Sequence, residues 1–115
     1  MVSPRMTLTT QLVLRALLER PTEERYGLEL GESAGLPSGT LYPILARLEA
    51  WSWVASHWED VDPSQAGRPR RRYYTLTRHG AEQARLALAS ADARRSRASR
   101  LTAGTATLNP RGGAA

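Results

Sequence analysis

The sequence predicts a mainly α-helical chain with one two-stranded β-hairpin set between its third and fourth helices. Three observations carry that prediction. Before residue 52, apolar residues recur at three- and four-residue steps in three successive segments. The pattern then changes to two short, β-prone segments flanking a loop rich in proline, glycine and arginine. Beyond Thr77 the helical period returns, with alanine as the main apolar residue.

The first helix is read from Leu8, Leu12, Val13, Ala16 and Leu17, widened by Leu14 and Leu18. Thr7 or Thr9 suits its cap, and Pro21 stops it near Glu19. The second, Tyr26 to Ala34, is shorter and weakened by Gly27 and Gly31; Gly35 ends it. Leu36-Pro37 makes a tight turn and Ser38 suits an N-cap. The third helix, 38–51, shows Leu41, Ile44, Leu45 and Leu48 on one face, with Pro43 in its first turn. Helices two and three, joined by so few residues, outline a helix-turn-helix.

Trp53 to Trp58 reads as a strand, and so does Arg71 to Thr77, with Tyr74 and Leu76 on one side and Tyr73 and Thr75 on the other. The segment between them holds Pro63, Gly67 and Pro69 and is expected to be irregular. A hairpin directly after a helix-turn-helix is a wing, so the fold class is a winged helix-turn-helix, α1-α2-α3-β-β-α4. Thr77 caps the last helix, which starts near His79 and carries Ala81, Ala84, Leu86, Leu88 and Ala91. Residues 1–93 form the expected domain. Residues 94–115 are basic and of low complexity and are expected to be a disordered tail, with 94–101 fraying helix.

The 115 residues include 16 basic and 11 acidic ones, a formal net charge of +5. All the bases are arginine, which a GC-rich genome explains without function. Position matters more. Residues 1–60 sum to −3 and residues 61–115 to +8, and a local positive field of that kind attracts a polyanion. With no cysteine, disulfides, thiolate metal sites and cysteine nucleophiles are excluded. Two histidines, His57 and His79, make no metal motif. Glu59-Asp60-x-Asp62 lacks the glycine and distal glutamate of a calcium loop, and reads as solvation of the wing loop. No nucleophile–base constellation or phosphate loop occurs, so neither an enzyme nor a cofactor is expected. No apolar run is long enough to span a membrane and no signal peptide is read, which places the chain in the cytoplasm.

Two clusters remain. Ser38, Gly39, Thr40 and Tyr42 open the third helix with hydroxyls and a glycine. Such an N-terminus can meet phosphates or base edges, or it can be a plain capped start with Tyr42 as packing. Arg68, Arg70, Arg71 and Arg72 are the densest charge ahead of the tail. Beside DNA each phosphate neutralised contributes about 0.9 to the salt slope; otherwise such a run is a solvated loop. Trp51, Trp53 and Trp58 are expected to pack under the hairpin, in the place phenylalanine does not fill. A second reading has one of them line an aromatic pocket at a dimer interface, which would admit a small aromatic effector.

Tyr26-Gly27, Ser38-Gly39-Thr40-Leu41-Tyr42-Pro43-Ile44-Leu45-x-Arg47-Leu48-Glu49, Trp58-Glu59, and Gly67 through Thr77 followed by Gly80 together resemble the PadR-type winged-helix transcriptional regulators. The resemblance runs from Leu8 to Leu88. It implies a homodimer that binds operator DNA, usually as a repressor, on the nucleoid, with release by a small effector in many members. Carried over by position, the DNA-contacting residues are Tyr26, Ser38, Gly39, Thr40, Tyr42, Pro43 and Arg47, with Arg68, Arg70, Arg71 and Arg72 on the wing. Arg47-x-Glu49 reads equally as surface pairing. Ser52 stands where family members commonly have glycine, so strain is expected there if φ is positive. The last helix looks shorter and poorer in leucine than the family's, which points to a weak dimer or one leaning on the first helix. The alternative function is a winged-helix protein-interaction module that binds no DNA.

Overall fold

Thr7 begins the ordered helices: its hydroxyl accepts from the Thr10 N–H at 3.2 Å, a cap for the orphan donors of the first turn. The computed structural model describes residues 5–108. In chain order its elements are α1 (Leu8–Leu18), β1 (Arg25–Tyr26), α2 (Gly27–Ala34), α3 (Ser38–Ala50), β2 (Val54–Trp58), α4 (Pro63–Ala66), β3 (Arg72–Leu76) and α5 (Arg78–Leu108). The chain divides after Arg85 into two units. The first holds the fold, and the described residues of the second are the rest of α5.

The apolar stripes meet as their periods require. Val13, Leu14 and Leu17 of α1, Leu30 of α2, and Leu41, Ile44, Leu45 and Leu48 of α3 are buried together with Trp53, Val54, Tyr74 and Leu76. Each such leucine contributes about 1.5–3 kcal/mol by leaving water. Leu8, placed on the stripe by spacing, is instead 66% exposed.

The hairpin is antiparallel, with Val54 opposite Leu76 and Trp58 opposite Arg72. It gains a third strand that the sequence did not suggest. β1 pairs with β3 in the order β1-β3-β2, setting Arg25 opposite Tyr74 and Tyr26 opposite Tyr73. α2 therefore begins one residue later than expected, at Gly27, and the Glu29 carboxylate accepts the Tyr26 N–H at 3.2 Å.

Four other expectations are corrected. Pro37, not Ser38, is the N-cap of α3, and Pro43 lies in the second turn, where it offers no N–H to the Gly39 carbonyl. The loop after β2 contains a helical turn, α4: Asp62 accepts the Ser64 N–H at 2.9 Å, Pro63 takes the first position and Gly67 closes it. α5 continues to Leu108, through the 94–101 stretch expected to fray and into the segment expected to be disordered. Alanine and arginine are strong helix formers, and neither glycine nor proline intervenes before Gly104. Contacts one turn apart support it, Arg94 to Ser90 at 3.0 Å and Arg95 to Asp92. Residues 109–115 of the expected tail lie outside the described residues.

α3 ends in a left-handed turn made without glycine. The Trp53 N–H donates to the Leu48 carbonyl and the Ser52 N–H to that of Glu49, both at 2.9 Å, which forces φ of Ser52 to 63°. Removing the Cβ relieves that strain but loosens the unfolded chain. Ser52→Gly is expected to raise stability by about 0.5–1 kcal/mol, read as a higher denaturant midpoint. An unchanged midpoint would mean that the turn bears no strain.

Thr77 and Gly80 dock the start of α5 on this same corner. Thr77 donates its N–H to the Trp53 carbonyl at 2.9 Å and its hydroxyl to that of Ser52 at 2.7 Å. The same hydroxyl accepts the Gly80 N–H at 2.9 Å, capping the helix as expected.

Candidate nucleic-acid interface

The first turns of α3 reach the surface through residues too small or too polar to bury. Ser38, Gly39 and Pro43 are exposed and Thr40 is partly so. Tyr42 is the exception in size. It is 43% exposed and lies across Gly27 so closely that a Cβ there would meet its hydroxyl oxygen at 2.0 Å. Its ring centroid is 6.4 Å from that of Tyr74. The hydroxyl end of α3 is therefore joined to α2 and to the sheet.

Arg47 is exposed further along α3. The pairing considered for it with Glu49 is not made. Glu49 instead accepts the Ser56 hydroxyl at 2.5 Å and lies 3.8 Å from the Arg72 guanidinium.

The four wing arginines are not equivalent. Arg68 clasps Glu59 through both terminal nitrogens, at 2.6 and 3.0 Å, and the Glu59 carboxylate also accepts the Arg71 N–H at 3.2 Å. The Arg68 hydrogen bond is the main reason the Glu59 pKa is lowered to about 2, so the pair stays charged throughout the neutral range. The glutamate expected to solvate this loop ties its two arms together. Arg70 donates Nε to the Val61 carbonyl at 2.8 Å and is exposed. Arg71 lies over the Tyr26 ring, 4.6 Å from its centroid. Arg72 donates to Ser56 at 2.7 Å and covers the Trp58 ring at 5.0 Å.

Strand alternation sorts these contacts. Ser56, Trp58, Arg72 and Tyr74 share the side of the sheet that meets Glu49 and Tyr42 of α3. His57 and Tyr73, stacked at 5.8 Å, share the other with Tyr26, whose ring meets that of Tyr73 edge-on at 6.1 Å.

Trp53 alone of the tryptophans is buried, at 4% exposure, while Trp58 is 57% exposed. The expectation that all three pack beneath the hairpin is therefore corrected. Trp58 ends β2 directly opposite Arg72, beyond the reach of the helical core.

A cleft of about 500 Å³ runs between the α2–α3 end and the wing, lined by Tyr26, Gly27, Leu28, Tyr42, Trp58, Tyr74 and the segment 68–72. It brings Tyr26 and Tyr42 together with all four wing arginines; Ser38, Gly39, Thr40, Pro43 and Arg47 are not in its wall. Among the described residues no cluster of acids and histidines fits a metal ion, and no helix is long and apolar enough to cross a membrane.

Residues 13–86 match the model of the transcriptional regulator PadR-like family. Among solved structures, a PadR family transcription regulator from Clostridium difficile R20291 is 21% identical, covering 84% of this chain and 99% of its own, with a TM-score of 0.66. A padr family transcriptional regulator from Eggerthella lenta is 27% identical over 83% of this chain and 85% of its own, TM-score 0.64. BpsR of Bordetella bronchiseptica, whose DNA binding is regulated by 6-hydroxynicotinic acid, shares the fold at 17% identity, covering 80% of this chain and 64% of its own, TM-score 0.62. No curated protein matches the chain.

Proposed function

The chain belongs to the PadR-like family of transcriptional regulators, which are DNA-binding proteins and not enzymes, and from that premise we propose that it is a repressor reading operator DNA with α3. The observation that carries this reading is the shared cleft. Tyr42 near the α3 start and Arg70 to Arg72 on the wing line one concavity, so a duplex whose major groove takes α3 brings its backbone to the arginines.

The roles divide by chemistry. Ser38, Thr40 and Tyr42 supply hydroxyls at the positive end of the α3 dipole, and the bare backbone at Gly39 permits close approach. Pro43 and Arg47 flank that contact along the exposed face. Arg70 and Arg71 meet phosphate, and Tyr26 holds Arg71 in place. Arg68 acts through the fold, since its guanidinium is committed to Glu59.

The protein acts as a homodimer on the nucleoid, hence in the cytoplasm. The 31-residue α5, with exposed Leu86 and Leu101, is long enough to supply the dimer contact. A small aromatic effector releases it, by analogy with the regulation described for BpsR.

Recovery of genomic fragments bound to the purified protein tests the reading. Fragments sharing a two-fold symmetric sequence are expected, because a two-fold dimer places two α3 helices on related half-sites. Recovery without any shared sequence would overturn operator reading.

A further inference from the structure

The wing carries an exposed indole that core packing does not explain. Trp58 is 57% exposed at the end of β2, an expensive place for a large apolar ring. It is nevertheless held in one orientation. The Arg72 guanidinium covers its ring at 5.0 Å, and Arg72 is fixed in turn by Ser56 at 2.7 Å and by Glu49 at 3.8 Å.

In front of the ring lies an open hollow of about 600 Å³, walled by Pro63, Pro69 and Arg70. Arg70 is anchored through Nε alone, to the Val61 carbonyl at 2.8 Å. Its two terminal nitrogens have no hydrogen-bond partner among the described residues. The hollow thus presents a flat apolar floor beside a guanidinium with unused donors. Of the acids near it, Glu59 just past the end of β2 is paired with Arg68, and Asp62 beside Pro63 accepts the Ser64 N–H at 2.9 Å.

Resting on the DNA-binding reading above, we propose that Trp58 and Arg70 form a seat for one sugar–phosphate unit of the DNA backbone. The indole packs on the deoxyribose, and the Arg70 terminal N–H groups take the adjoining phosphate. Two features select this occupant over an apolar protein partner. The hollow is walled on one side by the Arg70 guanidinium, which suits an anion. The hollow also shares Trp58, Pro69 and Arg70 with the cleft that reaches Tyr42, so it continues the surface that α3 presents.

Tryptophan fluorescence tests this directly. Trp53 is buried and Trp51 half-buried, so acrylamide quenching reports chiefly on Trp58. Adding a 20-base-pair duplex should lower the quenching constant severalfold. Trp58→Ala should keep its melting temperature and bind operator and random duplexes about tenfold more weakly with the salt slope unchanged, whereas Arg70→Ala should reduce that slope by about 1. Trp58→Phe should recover most of the affinity. If the wild type binds duplex while Trp58 stays fully quenchable, or if Trp58→Ala binds as tightly as wild type, the seat is disproved and the operator reading stands. A wild type that binds no duplex removes both.

Discussion

Replacing Gly80 with alanine is expected to destabilise the fold by about 3 kcal/mol. The added Cβ would lie 1.9 Å from the Trp53 carbonyl oxygen and 2.6 Å from its Cα. These are backbone atoms and have no rotamer to change. Moving α5 away instead would stretch the bonds from Thr77 to the Trp53 and Ser52 carbonyls, at 2.9 and 2.7 Å. Against this stands a helix-propensity gain of at most about 1 kcal/mol, so the clash decides the sign. Gly39 is the contrast, since nothing lies within 4 Å of a Cβ added there, and Gly39→Ala should be neutral or stabilising. Urea unfolding of the two variants measures the difference; a Gly80→Ala protein as stable as wild type would show that α5 does not dock on the Ser52–Trp53 corner as described.

The second large effect is on affinity. Arg70→Ala combined with Arg71→Ala should weaken binding to operator and random DNA alike, by ten- to a hundredfold at low salt, and flatten the salt slope by roughly 1–2. Arg68 is left out of the pair for a structural reason. Its charge is spent on Glu59, whose carboxyl it holds down at about 2, so Arg68→Ala should loosen the wing without a matching change of slope. Titrations at several salt concentrations separate the two behaviours. A double variant with full affinity at every salt concentration would remove the wing from the interface.

What was legible in the sequence followed from local rules. The three-and-four spacing of Val13, Leu14, Leu17 and of Leu41, Ile44, Leu45, Leu48 placed α1 and α3, because a helix must bury one stripe. Thr77 announced its cap, and Thr7 was one of two candidates for the first, through side-chain chemistry confined to four residues. The positive φ at Ser52 was anticipated only by resemblance, from the glycine common at that position.

The parts that were not legible depend on partners distant in sequence. β1 has two residues, too few for any alternation to show, and it exists because β3 offers Tyr73 and Tyr74 as partners. Arg25 is charged, yet it is 4% exposed. Its guanidinium donates to the Ala16 carbonyl in the last turns of α1 and to the Ser33 hydroxyl of α2, both at 3.0 Å, while Nε has no hydrogen-bond partner among the described residues. Neither contact is coded by spacing. The clasp of Glu59 on Arg68 likewise joins the two arms of a loop. α4 did carry a local signal in Asp62-Pro63 and Gly67, an N-cap, a first-turn proline and a terminator, which the surrounding prolines obscured.

For the central claim, that α3 reads sequence while the wing supplies charge, the deciding measurement is a competition titration near physiological salt. A selected genomic duplex is set against the same duplex scrambled, for wild type and for Thr40→Ala. The wild type should prefer the selected duplex by about a thousandfold or more, and Thr40→Ala should narrow that ratio while leaving affinity for the scrambled duplex unchanged. Equal affinity of the wild type for both duplexes would contradict it.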